Sequence, residues 1–140
     1  MLRKPSEQFL REIKPAYEDY VNDPLSERLA NNLARAIDHQ SDWTFEYYKA
    51  VDPSRLDGST DVKSFRRTLL PQCAPLQMMN DLADAAHHRR LDRPNDPPRV
   101  VQASTAAYSV QAAALHVTNY ETPFLKAATD AVEFWRKWKD

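Results

Sequence analysis

Apolar residues recur at helical spacing along several stretches of this chain, and prolines separate those stretches. The first stretch carries its apolar positions at Phe9, Leu10, Ile13, Tyr17 and Tyr20. Because such spacing keeps apolar side chains on one face of a helix, it predicts a first helix. We expect Ser6 to be its N-cap, Pro15 to kink it, and Val21 to lie near its end.

A longer amphipathic stretch follows and gives the clearest helix prediction. Asp23 and Pro24 predict its N-cap and its first helical residue, and Asp52-Pro53 predicts its end. The positions predicted to face the core are Leu33, Ile37, Gln40, Tyr47 and Val51. The loop after this helix holds the only glycine, Gly58, and leads to a segment that begins near Asp61.

Prolines shape the middle of the chain. Pro71 is expected to interrupt the segment after Asp61, and Pro75 to begin a further helix that runs to about Leu91. Its predicted apolar stripe is Leu76, Met79, Ala83 and Ala86. The proline-rich residues 93–99 then break the helical pattern.

The segment 100–120 has two interpretations, because alternating apolar positions favour strands while its alanines favour helix. We favour a small β-hairpin. The last stretch predicts a terminal helix with an apolar stripe at Phe124, Leu125, Ala128, Val132 and Trp135. The sequence therefore predicts a mainly α fold, residues 1–140 forming a single helical domain, with about four or five helices and a β-hairpin before the C-terminal helix.

Composition narrows the function classes further. The 140 residues contain 19 Lys and Arg against 20 Asp and Glu, so the net charge of −1 gives no general attraction to nucleic acid. Cys73 is the only cysteine, which excludes an intramolecular disulfide framework and fits a reducing compartment. Neither a signal-peptide pattern nor a membrane-spanning apolar run occurs. We therefore expect a cytoplasmic protein with no membrane partner.

The most concentrated chemistry lies between Asp81 and Arg93, on the helix predicted to begin at Pro75. Asp84 is close enough in sequence to orient His87 or His88, and these three residues are the candidate acid/base set. The candidate ligand-binding residues are Asn80, Asp81, Arg89 and Arg93. A helix-stabilising carboxylate–imidazole pair, with arginines placed to suit the helix dipole, explains the same residues without any activity.

Two other patterns contain residue types found in metal or nucleophilic sites. On the long helix Asp38, Asp42 and Glu46 follow at intervals of four beside His39, as metal ligands can. The helical wheel places these acids roughly opposite the apolar stripe, so we expect a solvated face and no metal or other cofactor. Cys73 would be a nucleophile only if His39 or His87 reached it.

The helix segment 81–91 resembles one found in uncharacterised bacterial helical proteins. Asp81, Ala83, Ala85, His88 and Leu91 match that pattern, while an aspartate and a histidine stand at positions 84 and 87 where the family has asparagine and lysine. The resemblance implies a helical fold with His88 as a common feature, and no activity. More distantly, the chain is similar to HEPN domains, helical bundles that often dimerise, but none of its histidines follows an arginine at the spacing of their ribonuclease motif.

These observations favour a non-enzymatic interaction module acting as a homodimer, with the face of residues 81–88 and the arginine-rich loop as its expected binding site. The aromatic residues of the long helix either form a self-association face or pack under the terminal helix. Phe45 is expected to point away from the core stripe. The alternatives are an enzyme acting on a nucleotide or RNA phosphate through a His/Asp pair, and a metal-dependent helical-bundle hydrolase.

Overall fold

The fold is mainly α, as the periodicity predicts. The computed structural model describes residues 2–87, 100–102, 115–117 and 120–140. In that part of the chain the helices are α1 (residues 5–22), α2 (Glu27–Val51), α3 (Val62–Leu69), α4 (Pro75–His87) and α5 (Phe124–Arg136), with a 3-10 turn at Pro53–Leu56. One buried apolar cluster receives side chains from all five of these helices. It is this shared core that fixes the positions of the surfaces described below.

Helix α1 begins at Pro5, with Lys4 rather than Ser6 as its N-cap. The prediction for Ser6 is wrong because Asp140 competes for its polar groups. The Ser6 N–H donates to the carboxylate of Asp140 at 2.8 Å, and its hydroxyl donates to the second oxygen at 2.5 Å. Ser6 therefore ties the start of α1 to the residues after α5.

The interior of α1 contains a π-helical segment, Phe9–Ile13, between α-helical turns at Pro5–Gln8 and Lys14–Asn22. Pro15 has no N–H to offer the preceding turn, which leaves a carbonyl without its usual donor. The wider π turn, closed by the Lys14 N–H and the Phe9 carbonyl, stands next to this proline. The helix thus accommodates Pro15 through a change of winding.

Helix α2 starts at Glu27, three residues later than predicted, and the N-cap is Ser26 rather than Asp23. The Ser26 hydroxyl accepts a hydrogen bond from the Leu29 N–H at 3.1 Å. Asp23 instead closes a turn, since its carbonyl accepts from the Ser26 N–H. The predicted end at Val51 is correct.

The long helix is buried on more than the predicted stripe. Leu33, Ile37 and Gln40 are buried as expected, whereas Val51 is 59% exposed at the end of the helix. Phe45, expected to point away from the core, is buried and packs on Phe65 of α3 with ring centroids 6.1 Å apart. Neighbouring helices cover both flanks of α2, so its apolar contacts extend beyond one face.

Helix α3 begins next to Asp61, as predicted, and its first turn is closed by a capping box. Asp61 accepts from the Ser64 N–H at 2.7 Å, and the Ser64 hydroxyl oxygen accepts from the Asp61 N–H at 3.3 Å. The preceding loop turns through two left-handed residues, Asp57 and Gly58. The predicted break between Pro71 and Pro75 separates α3 from α4.

The two short strands of the predicted hairpin are present before α5. Val100–Gln102 pairs antiparallel with Leu115–Val117, with Val101 opposite His116. Residues 103–114, which connect them, lie outside the described part of the chain.

Helix α5 docks on α1 and α2 through a stripe slightly different from the predicted one. Leu125 lies outside the buried set, and two small residues, Ala127 and Ala131, lie inside it. Tyr48 of α2 packs on Trp138, whose indole N–H donates to the tyrosine hydroxyl at 2.9 Å. Of the two interpretations for the α2 aromatics, packing under the terminal helix therefore holds for Tyr48.

Candidate functional site

The predicted site on α4 is described only in part. Asn80, Asp81 and Asp84 are described in full, and His87 ends the helix, with a side chain outside the description. His88, Arg89 and Arg93 lie outside the described residues altogether. The acid/base hypothesis for Asp84, His87 and His88 therefore stays a prediction.

Asn80 contacts Asp38, a residue that the helical wheel of α2 assigns to a solvated face. Its Nδ2 donates to Oδ1 of Asp38 at 3.0 Å. The side chain of Asp38 is 11% exposed, so the expectation that it belongs to a solvated face is wrong. The reason is that α3 and α4 pack against this side of α2, which a helical wheel drawn for α2 alone does not reveal.

Arg66 of α3 joins two carboxylates of α2. Its Nη2 lies 3.3 Å from Oδ2 of Asp38 and 2.6 Å from Oδ1 of Asp42. Burial raises the pKa of Asp38, while Arg66 and the hydrogen bond from Asn80 act to lower it. The guanidinium and the amide thus compensate part of the desolvation of a buried carboxylate.

Around this cluster lies a polar cleft of about 540 Å³ between α2, α3 and α4. We name it the polar cleft, and its lining residues are Arg35, Asp38, His39, Asp42, Arg66, Asn80, Ala83 and Asp84. It brings Asn80 and Asp84, two predicted candidates, together with His39 and the α2 acids. The sequence signal for this meeting is weak: two carboxylates at i and i+4 repel each other, and a nearby cation relieves that repulsion.

Asp81 serves a structural contact. Its carboxylate accepts from Gln77 Nε2 at 2.8 Å and from the hydroxyl of Tyr120, the residue that precedes the turn into α5. These two partners connect α4 to the chain just after the strand Leu115–Val117. The predicted ligand-binding role of Asp81 would require a ligand to compete with them.

The metal and nucleophile hypotheses gain no geometric support. Within residues 2–87, 100–102, 115–117 and 120–140, His, Cys, Asp and Glu side chains do not form a group of three placed to hold a metal ion. Cys73 is buried, with Sγ 3.9 Å from the Asp130 carbonyl oxygen. Burial raises the pKa of this thiol, which opposes formation of the thiolate needed for attack.

An apolar groove lies on another side of the molecule, between α1 and α5. It has a volume of about 440 Å³, and its apolar lining is Phe9, Leu10, Tyr17, Val132, Trp135 and Trp138. Leu10 is 59% exposed at its edge, an unusual exposure for a large apolar side chain. The buried indole N–H of Trp135 has no hydrogen-bond partner among the described residues.

Charges of both signs surround this α1/α5 groove. Lys14 and Glu18 pair along α1 at 3.0 Å, and Arg136 pairs with Glu133 along α5. An apolar centre within a polar rim is the usual anatomy of a protein–protein contact.

Comparisons of the chain with protein-family models, with curated proteins and with solved structures find no match. Among the described residues, none of the helices combines the length and the apolar character that crossing a bilayer requires.

Proposed function

We propose that this protein is a non-enzymatic, cytoplasmic interaction module that acts as a homodimer, with the α1/α5 groove as its contact surface. The observation that carries the proposal is an apolar groove that has the strongly exposed Leu10 at its own edge. Exposed apolar surface rimmed by polar residues favours association over exposure to water.

We take a second copy of the chain as the partner because one surface carries both an exposed apolar side chain, Leu10, and an apolar groove. In a two-fold dimer the same patch faces its copy, so the Leu10 projection of each copy meets the groove of the other. The rim supports the same pairing, since Lys14 and Arg136 offer cations, and Glu18 and Glu133 offer carboxylates, to the opposing rim.

Burial of Leu10 sets the expected contribution of this contact to the free energy of dimerisation. Full burial of a leucine side chain contributes about 1.5–3 kcal/mol, and more than half of this one is exposed in the single chain. Two symmetric copies would then contribute roughly 2–4 kcal/mol. Losing that contribution corresponds to a dimer dissociation constant raised by about 30- to 1,000-fold.

The test is sedimentation velocity across a concentration series, with Leu10→Lys and Val51→Lys as a matched pair. The side chains of Leu10 and Val51 are each 59% exposed, and of the two only Leu10 lines the groove. We expect the wild type and Val51→Lys to dimerise equally, and Leu10→Lys to sediment as a monomer. Helical circular dichroism of each variant monitors folding.

A wild type that stays monomeric over the whole series would overturn the homodimer. Equal dimerisation by Leu10→Lys, or loss of the dimer in Val51→Lys alone, would remove the groove as its contact surface.

A further inference from the structure

A second cavity, separate from the α1/α5 groove, lies between α2, α3 and α4. Its volume is about 220 Å³, close to that of seven water molecules at ~30 Å³ each. That volume suits a small organic molecule and excludes a folded partner. It borders the polar cleft, and the Asp38–Arg66–Asn80 cluster contributes to both. We name it the basic cavity.

The walls of the basic cavity are amphipathic. Ile37, Leu69 and Leu76, all buried in the core, supply apolar surface, and the half-buried Leu70 adds to it. On the polar side lie three cations, all from α3: Lys63, Arg66 and Arg67. An apolar surface beside a cationic one matches a ligand with a hydrocarbon part and an anionic head.

The cations of the basic cavity retain unused hydrogen-bond donors. Arg66 contacts its two carboxylates through Nη2, and its buried Nε has no acceptor among the described residues. Lys63 and Arg67 are exposed and form no ion pair within the described part of the chain. Asp38, the carboxylate in the lining, is already bound by Arg66 and Asn80. The lining therefore favours an anion over a cation.

We propose that the basic cavity binds a small aliphatic monocarboxylate, with its head at Arg66, Lys63 and Arg67 and its hydrocarbon part against Ile37, Leu69 and Leu76. Arg67, which forms no ion pair among the described residues, can supply a guanidinium edge to the planar carboxylate group, which accepts two parallel hydrogen bonds. A fully hydrated anion such as inorganic phosphate would leave the apolar wall without a partner and would fit less well.

The test is a titration followed by amide chemical-shift perturbation, with butyrate, butylamine and inorganic phosphate as probes at low ionic strength. We expect butyrate to saturate and to shift amides of residues 37–41, 63–70 and 76–80. Butylamine tests whether the cavity selects an anionic over a cationic head group. Phosphate tests whether the ligand needs a hydrocarbon part. Salt should weaken butyrate binding, because two of the cations are exposed.

The variants spare Arg66, whose loss would leave a buried carboxylate without its cation. Lys63→Gln with Arg67→Gln should weaken butyrate binding by roughly 25-fold, about fivefold for each exposed charge. The control is Arg28→Gln with Lys49→Gln, two exposed cations of α2 outside this lining, and should leave affinity unchanged.

Three results would overturn the inference. They are absence of saturable butyrate binding, equal binding of butylamine or phosphate, and butyrate affinity that does not change in Lys63→Gln/Arg67→Gln. Chemical-shift changes centred on α1 and α5 would likewise exclude the basic cavity as the butyrate-binding site.

Discussion

Replacing Arg66 by methionine should destabilise the fold by leaving Asp38 buried without its cation. Removing one partner of a fully buried ion pair costs about 3–5 kcal/mol. Here the side chain of Arg66 is 27% exposed and that of Asp38 11% exposed, so water screens part of the interaction. We therefore expect a loss of about 2–3 kcal/mol at pH 7, or roughly 5–10 °C in Tm. Methionine retains the apolar contacts of the arginine stem.

The pH dependence separates this electrostatic cause from lost packing. Burial already raises the pKa of Asp38, and removal of Arg66 takes away a contribution that lowers it. A carboxyl with a raised pKa binds its proton more readily in the folded state, so stability falls as pH rises from its ordinary pKa through the raised one. The loss in Arg66→Met should therefore be greatest at pH 7 and shrink toward about pH 4.

Urea unfolding followed by circular dichroism measures the effect at both pH values. Arg67→Met is the matched control on the same helix, because Arg67 forms no ion pair among the described residues, and it should change stability by less than about 0.5 kcal/mol. Adding Asp38→Asn to Arg66→Met should recover more than half of the loss at pH 7. A loss equal at both pH values, or no recovery in the double variant, would refute the reasoning.

Two further predictions concern the ends of elements. Arg55→Ala should cost about 1 kcal/mol in urea unfolding, because Arg55 donates to the carbonyl oxygens of Lys139 and Asp140 at 2.8 and 2.7 Å and lies over the Tyr48 ring; an unchanged midpoint would contradict this. Asp61→Ala should lower the Tm at neutral pH, because the N–H and hydroxyl of Ser64 lower the pKa of Asp61. That cap stabilises above the ordinary carboxyl pKa and is lost as pH falls through the lowered one, so the variant and the wild type should converge in acid.

Local chemistry along the chain was sufficient to predict the elements. The proline pair that separates α3 from α4, the start of α3 near Asp61 and the end of α2 at Val51 all depend on backbone preferences of a few neighbouring residues. One error, at the start of α1, occurs where a distant residue competes. Ser6 is a good N-cap by composition, but its donors bind Asp140, far away in sequence, which no local rule detects.

The candidate site exposes the limit of the helical wheel. A wheel positions a residue relative to the apolar stripe of its own helix, and it does not identify the helices that cover the flanks. Asp38 lies off the stripe of α2, and its side chain is nevertheless only 11% exposed, because Arg66 and Asn80 contact it from α3 and α4. Asn80 was recognised because it borders a stripe, whereas Arg66 lacked any signal in its own segment. Side-chain contacts between helices, such as that of Asp38 with Arg66, therefore become visible only once the packing of the helices is known.

The two proposed surfaces share no side chain, and α2 connects the elements that form them. Helix α2 contacts α1 through Gln40, whose Nε2 donates to the Pro5 carbonyl at 2.8 Å, and its Ile37 lines the basic cavity. None of the residues that line the α1/α5 groove lines that cavity. Substitutions at such separate sites usually act independently, so a variant that disturbs one surface leaves the other as an internal control. A change in both dimerisation and butyrate binding would then indicate damage to α2, and a change in one alone would identify the surface responsible.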